Sequence, residues 1–335
     1  MALSEWSIPE LLQLSGGYWS ACALHAGVKL DIFSALDGVS LSVSEVAAQR
    51  NTDPRATAML LDALSALGLV AKTDATYTAT PFAARNLSKS SPGYLGHIIM
   101  HHHHLMSGWA QLDEAVKSGG PVRKPVSHGD DEEVRESFLM GMFNLASQLA
   151  PTVAHAVDLS ACSTLLDLGG GPGTYAIHFC RANQNLSAVV YDLPTTRKFA
   201  EATIARYDLS SRISFSSGDF HADPLPSGFD AAWLSHILHS DGPEACGALL
   251  SKTVAALKPG GILMVQEFVL SDAGNAPLFP TLFSLNMLLG TDAGQAYSEG
   301  QLCRMMTAAG LTDVNRLPVD LPNGTGIMWG RKPAQ

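Results

Sequence analysis

Acids and glycines at the ends of successive apolar runs are the residues whose types and spacing could do chemistry. In LLDLGGGPGTYAIHF, Gly169, Gly171 and Gly173 stand between a strand-like segment and a helical one. Glycine lets a backbone turn tightly and approach a ligand closely, and the N-terminus of the following helix favours negative charge. Gly171-x-Gly173-x-x-Ala176 fits the G-x-G-x-x-A pattern of nicotinamide dinucleotide sites, a weak signal alone. Three carboxylates argue for another ligand. Asp167 ends the strand just before the glycines, where it would oppose a pyrophosphate and suit a cationic amino-acid end. Asp192, in VVYDLP, ends the next run and is placed to accept from two ribose hydroxyls, which fits either cofactor. Asp219, in SGDFHADPLP, follows the third run, where it can accept from an adenine amino group while Phe220 packs on the ring. Alone, each acid is an ordinary surface or capping carboxylate. Together, at this spacing, they match S-adenosylmethionine, which carries a sulfonium, an α-amino acid, a ribose and an adenine but no phosphate.

The run IIMHHHHLM holds four consecutive histidines. On a helix, neighbouring side chains fan out about 100° apart and cannot converge on one ion. Only His101 and His104 share a face, with His97 one turn before, so the run predicts no metal site beyond weak zinc binding.

The elements that would position these residues differ along the chain. Residues 10–36 carry apolar positions three and four apart and read as helix. Ser42 or Ser44 can cap a short helix, and Thr52 or Asp53 a second, with Pro54 in its first turn and Gly68 at its end. LVAKTDATYTAT then alternates like a hairpin around residues 73–75. Helix, turn, helix and hairpin is the layout of a winged helix. Its recognition helix would offer Arg55 as the only cation beside Asp62, with Ala, Leu and Met elsewhere, whereas base reading needs several Arg, Lys, Asn or Gln side chains. A packing or dimer role suits it better than DNA. Residues 91–160 read as wholly helical. From residue 163, TLLDL, SAVVYDL, RISFS, DAAWLSHIL, GILMVQEFVL, TDVNRLPV and GTGIMWGRK alternate with helical stretches, as in a parallel α/β sheet.

Composition sets outer limits. The 335 residues suffice for two domains, and 46% hydrophobic against 16% charged residues suits a packed core. A formal net charge of −10 with scattered Lys and Arg makes nucleic acid a poor partner. No apolar run approaches the roughly 18 residues that cross a bilayer, and MALSEWSIPELL lacks the features of a signal peptide, so no membrane or export is expected. Five scattered cysteines without C-x-x-C suit free thiols in a cytoplasmic protein.

Past the fourth strand, WLSHILHSDGPEAC completes a series: LLDLGGGPG, YDLP, GDF, LHSD and LKPGG, preceded by the stretch from Trp109 to Pro121 and by SFLMGM. In this order the series resembles the metal-independent S-adenosylmethionine-dependent small-molecule O-methyltransferases, of the caffeate, acetylserotonin and bacterial phenazine- and polyketide-tailoring type. The resemblance covers nearly the whole chain. It implies an α/β Rossmann-like methyltransferase domain over 161–335, an N-terminal α-helical winged-helix dimerisation domain over 1–90, and a helical segment over 91–160 that contributes to the acceptor pocket. It implies a homodimer, no metal, and S-adenosyl-L-homocysteine as product. The family's histidine of L-H-D-W falls on His239, which would be the general base, and its acid after strand five falls on Glu267, which would orient that base. A neutral phenol of pKa ~10 is a weak nucleophile, and an imidazole can take its proton as the oxygen attacks. Cofactor contacts fall on Asp167, Gly169, Gly171, Asp192, Leu193, Asp219, Phe220 and Ser235. The acceptor pocket falls on His101, His104, Trp109, Met140, Met142, Phe143, Phe283, Asn286 and Met287, suited to a flat aromatic or polyketide-like molecule.

Three features depart from the family pattern. The Asp-Trp after the base is Ser240-Asp241, a second acid falls on Ala296, and a cofactor-touching Lys or Arg of plant relatives falls on Ser235. Asp241 is a candidate substitute acid, and His236 is expected to pack or line the pocket. These departures keep open a member that binds the cofactor but catalyses decarboxylation, hydroxylation or cyclisation. A ligand-sensing winged-helix DNA binder is the more distant alternative.

Overall fold

The computed structural model describes residues 6–124 and 131–334. The chain divides into two compact units, Met1–Leu105 and Met106–Gln335.

In the first unit, residues 10–36 form three helices rather than one: α1 (Ile8–Gly16), α2 (Tyr18–Lys29) and α3 (Ile32–Ala35). The second break falls at Asp31, whose φ of 55° is left-handed. There follow β1 (Leu41–Ser42), α4 (Val43–Arg50), α5 (Pro54–Ala66), β2 (Val70–Thr73), β3 (Thr76–Ala79) and α6 (Pro81–Leu87). Ser42 caps α4 in a reciprocal box with Glu45. Asp53 caps α5 through the Ala56 N–H at 2.8 Å, and Pro54 supplies a first-turn residue with no N–H to satisfy. The strands pair antiparallel in the order β1-β3-β2, giving the wing. Thr57, Leu61 and Leu64, at i, i+4 and i+7, turn inward from α5 and join Ile32, Phe33, Leu36, Val46 and Tyr77 in the core. Burying each such leucine is worth roughly 1.5–3 kcal/mol. Asp62 is bound by Lys72 Nζ and Tyr77 Oη, each at 2.7 Å, so the outer acid of α5 is used within its own unit.

The helix α7 (Gly96–Trp109) carries the histidine run, which lies within the first unit, and its last residues from Met106 on belong to the second. The 91–160 stretch is not continuous helix. After α7 come α8 (Leu112–Ser118), closed by left-handed Gly119, and α9 (Glu132–Ala156), capped by Asp131.

The rest of the second unit runs β4 (Thr164–Leu168), α10 (Thr174–Ala182), β5 (Ser187–Asp192), α11 (Arg197–Arg206), β6 (Ile213–Ser217), β7 (Phe229–Ser235), α12 (Pro243–Ala256), β8 (Leu257–Leu270), α13 (Leu278–Gly290), β9 (Tyr297–Ser298), α14 (Glu299–Ala308), β10 (Thr312–Arg316) and β11 (Thr325–Arg331). The main sheet has the order β10-β11-β8-β7-β4-β5-β6, with β9 beside β8. It is mixed rather than parallel: β11 runs antiparallel to β8 and β10 antiparallel to β11. Successive side chains point to opposite faces. Leu165, Ala231, Trp233, Met264 and Ile327 therefore join α9, α10 and α11 in one core, while Leu166, Ala232, Leu234, Leu263, Val265 and Met328 join α12 and α14 in the other. Burial on both faces explains why these strands read as unbroken apolar runs. Among the described residues, all five cysteines are free thiols and no helix is long and apolar enough to cross a membrane.

Candidate active site

Strand order reverses at β4, with β5 and β6 on one side and β7 and β8 on the other. Ligands of open α/β sheets sit beyond the carboxyl ends of strands at such a switch point. That edge holds Asp167, Asp192, Asp219, Ser235 and Glu267.

The glycine loop leaves β4 with Gly169, Gly171 and Gly173 at φ of 66°, 54° and 79°, a region that side chains with a Cβ rarely adopt. A Cβ at Gly171 would meet open space, whereas one at Gly170 would lie 2.6 Å from the Asp167 carboxyl carbon. Asp167 is 1% exposed and accepts from the Ala176 N–H in the first turn of α10 at 3.1 Å. Burial pushes its carboxyl up to about 7, against the pull of the Ala176 N–H and with a further push from Asp192. Asp192 holds the loop from the next strand. It accepts from Gly171 N–H at 2.8 Å, Leu193 N–H at 2.7 Å and Thr196 Oγ1 at 3.0 Å. A carboxylate has about four acceptor positions, so one stays open for a ligand hydroxyl. Asp219 is half-buried and accepts from the His221 N–H at 2.8 Å. Phe220 stands beside the loop, its ring edge 3.5 Å from where a Gly169 Cβ would be. An open glycine backbone, carboxylates of three strand ends and an aromatic edge, with no cationic side chain bonded to the loop among the described residues, form a lining that fits a cationic nucleoside rather than a pyrophosphate.

The second cluster stands at the ends of β7 and β8. The Leu238–Ser240 turn carries His239, whose Nδ1 lies 2.8 Å from Glu267 Oε2, while its backbone N–H reaches Oε1 at 3.3 Å. Glu267 is 1% exposed. Burial alone would raise its carboxyl, but the charge and hydrogen bonds of His239 and His236 overcome this and hold it below the usual carboxylate range. His239 meets the Phe283 ring of α13 edge-on at 4.8 Å. His236 adopts a left-handed φ of 57°, packs on Phe268 at 4.3 Å and has Nδ1 3.6 Å from Glu267. Gln266 Nε2 stands 3.1 Å from His236 Nε2, so the amide donates and the proton belongs on Nδ1, facing Glu267. Pleating sends adjacent Gln266 and Glu267 to opposite sides, and Gln266 donates to Tyr175 Oη at 2.7 Å. Asp241 pairs with His221, 3.4 Å away, and Ala296 is buried.

The O-methyltransferase domain model matches residues 109–312, and the O-methyltransferase dimerisation domain model matches residues 12–89. The chain belongs to this O-methyltransferase family. The methyltransferase is 34% identical over 97% of its length to the tetracenomycin polyketide synthesis 8-O-methyl transferase of Streptomyces glaucescens, covering 96% of that protein. It is equally 34% identical to the 3-hydroxy-5-methyl-1-naphthoate 3-O-methyltransferase of Streptomyces sahachiroi, over 97% of this chain and 95% of that one. The crystal structure of human N-acetylserotonin methyltransferase with S-adenosylmethionine superposes with a TM-score of 0.87 at 26% identity, covering 99% of this chain and all of that one. The protein is an S-adenosylmethionine-dependent O-methyltransferase.

The remaining expected site residues are spread through the fold. Ser235 ends β7, 3.3 Å from Gln266. Phe143 and Met287 are buried; Trp109, Met140, Met142, Phe283 and Asn286 are half-buried. His101 and His104 belong to the first unit, where His101 is buried. Among the described residues, the group of His, Cys, Asp and Glu whose ligand atoms converge is His236, His239 and Glu267, not the histidine run. Sequence reasoning gave no role to Gln266, Tyr175 or Arg123. The signal for Gln266 was present: two adjacent polar residues interrupt the apolar strand MVQEFVL, and buried polar groups there must have partners.

Proposed function

We propose that the methyltransferase acts on a phenolic hydroxyl of a small aromatic or polyketide-like acceptor, with His239 as general base and Glu267 as the residue that positions it. The observation that carries this is the 2.8 Å contact between His239 Nδ1 and a carboxylate that is 1% exposed. Glu267 accepts the Nδ1 proton, which fixes the tautomer and makes Nε2 the basic nitrogen. The imidazole takes the hydroxyl proton at Nε2 as the oxygen attacks, and the buried carboxylate stabilises the imidazolium. When bound, S-adenosylmethionine supplies a methyl group on a sulfonium, whose loss leaves the neutral thioether S-adenosyl-L-homocysteine. Asp192 keeps an acceptor position for its ribose, Gly171 allows backbone approach, and Asp167 sets negative charge beneath the loop for its amino-acid end. Asp219, Phe220, Leu193 and Ser235 complete the cofactor edge. Phe283, Asn286 and Met287 of α13, with Met140, Met142, Phe143 and Trp109, supply an apolar wall with few polar groups, suited to a flat ring system.

The polyketide and naphthoate relatives support the acceptor class. A homodimer is supported by the family's dimerisation domain and by Ile8, Leu11, Leu12 and Leu14 of α1, which are all more than half exposed. The test mixes the protein with hydroxylated aromatics and an equal mixture of ordinary and trideuteromethyl S-adenosylmethionine, and seeks paired masses three units apart. Pairs on hydroxyl oxygen, lost in His239→Ala, are expected. Tight cofactor binding with no pairs in any mixture would instead mark a member that has given up methyl transfer.

A further inference from the structure

Several guanidinium groups here have carboxylate or carbonyl partners. Arg212 is satisfied by the carbonyls of Cys180, Asn183 and Leu186, while Arg50, Arg197 and Arg316 pair with Asp31, Glu201 and Glu299. Arg123 differs. Its Nη2 donates to the Asn286 carbonyl at 3.2 Å and to Asn286 Oδ1 at 3.3 Å, while its Nε is buried without a hydrogen-bond partner. Among the described residues no carboxylate pairs with it, and burial holds the guanidinium below its usual pKa. The residue is half-buried, and a guanidinium whose Nε is shut off from water without a carboxylate beside it is kept where something else completes it.

The surroundings are built to hold it. Val122 and Arg123 both donate their N–H groups to the Leu289 carbonyl at 3.1 Å. The side chain then passes between two glycines. A Cβ at Gly108 would stand 3.0 Å from Arg123 Cδ, and one at Gly290 only 2.5 Å from Cζ. The guanidinium thus lies over the last turns of α13. Phe283, which meets His239, is on the same helix. At 1.5 Å per residue, Asn286 and Gly290 stand roughly 4.5 and 10 Å further along the axis. That interval matches two or three fused six-membered rings.

We propose that Arg123 anchors a carboxylate on the acceptor, on the ring remote from the hydroxyl that is methylated, so that the acceptor is an aromatic acid. The assignment rests on the phenol-methylating reading, with His239 at the reacting end. Arginine suits the task because its planar donors match the two oxygens of a carboxylate, and Asn286 holds the plane in place.

The probes are a hydroxynaphthoate with its two groups on opposite rings, its methyl ester and the matching naphthol. Equilibrium binding is measured by calorimetry with S-adenosyl-L-homocysteine present, so turnover is not needed, and methyl transfer is measured separately. The wild type should bind the acid roughly 10–100-fold more tightly than the ester. Arg123→Gln should remove that preference while leaving ester and cofactor affinities unchanged, and Arg123→Lys should restore part of it. Gly290→Ala, which displaces the guanidinium without removing it, should also weaken acid binding selectively. Equal wild-type affinities for acid and ester would overturn the anchor, and so would an Arg123→Gln protein that loses acid and ester alike. If Arg123→Gln does not fold, the wild-type comparison and Gly290→Ala decide. Selective acid binding without methyl transfer would sustain the anchor and count against the phenol-methylating reading.

Discussion

Asp167→Asn separates two roles of one buried carboxyl. Its pKa is pushed from 3.8 to about 7, mainly by burial. A group whose folded-state pKa is raised contributes stability that is fully present below the unfolded value and lost as pH rises through the folded one. The shift of about 3 units corresponds to at most ~4 kcal/mol, since each unit is worth ~1.4 kcal/mol. The unliganded protein therefore pays to ionise Asp167 at pH 8–9. Asparagine keeps an acceptor for the Ala176 N–H and never ionises. In scanning calorimetry Asp167→Asn should match or fall below wild type at pH 5 and exceed it by several degrees at pH 8–9. Binding of S-adenosyl-L-homocysteine should move the other way, because its ammonium end selects the ionised carboxyl. Wild-type affinity should climb by up to tenfold per pH unit between about pH 5 and 7 and then level off, a rise the variant lacks. A variant that melts below wild type by the same margin at every pH, with a parallel binding profile, would refute the reasoning and leave Asp167 as a neutral cap of the glycine loop.

Glu267→Gln should cut kcat roughly 10–100-fold with little change in cofactor affinity, as expected for the partner that orients a reacting group. His239 N–H and Nδ1 both donate to the carboxylate, so an amide, with one donor end, cannot satisfy both. Steady-state kinetics with calorimetric binding would check this, and an unchanged kcat would exclude the positioning role. Asp230 ties β7 to β4, accepting from Ser163 and Thr164 N–H and from Lys258 Nζ at 2.6 Å. Burial opposes ionisation there, but these donors hold its carboxyl down at about 2. Its contribution is thus present above pH 3.8 and lost as pH falls toward 2. Asp230→Asn should cost about 1–2 kcal/mol at pH 7, allowing for solvent screening, with the difference from wild type shrinking through acid denaturation and vanishing only near pH 2.

Local signals carried much of the fold. Ser42, Asp53 and Pro54 mark helix starts because capping is a matter of three or four residues, and the Asp74 turn is legible for the same reason. The apolar runs from residue 164 mark strands buried on both faces. Strand direction was not legible: β10 and β11 carry the same local pattern whether they run parallel or antiparallel, and only register against β8 decides. Nor was the break at Asp31, since apolar spacing continues through it. At the carboxyl edge of the sheet, the positions of the glycine loop and Glu267 could be read, because order along the chain maps onto strand ends. Arg123 could not, because its partner Asn286 lies 163 residues away and the two glycines that admit it flank neither. The histidine run drew attention by composition alone, whereas the converging histidines are His236 and His239, split by the chain's turn after β7.

Proton removal by His239 as the acceptor oxygen attacks can be measured by single-turnover methyl transfer in wild type and His239→Gln across phenols whose acidity varies while their shape does not. A general base contributes about 10²–10⁴-fold for a neutral phenol and little for one already ionised. The loss in His239→Gln should shrink steadily as the phenol becomes more acidic, approaching wild type for a nitrophenol-like acceptor at pH 8. A loss of the same size for every phenol would contradict it, and would leave His239 as a wall of the pocket rather than its base.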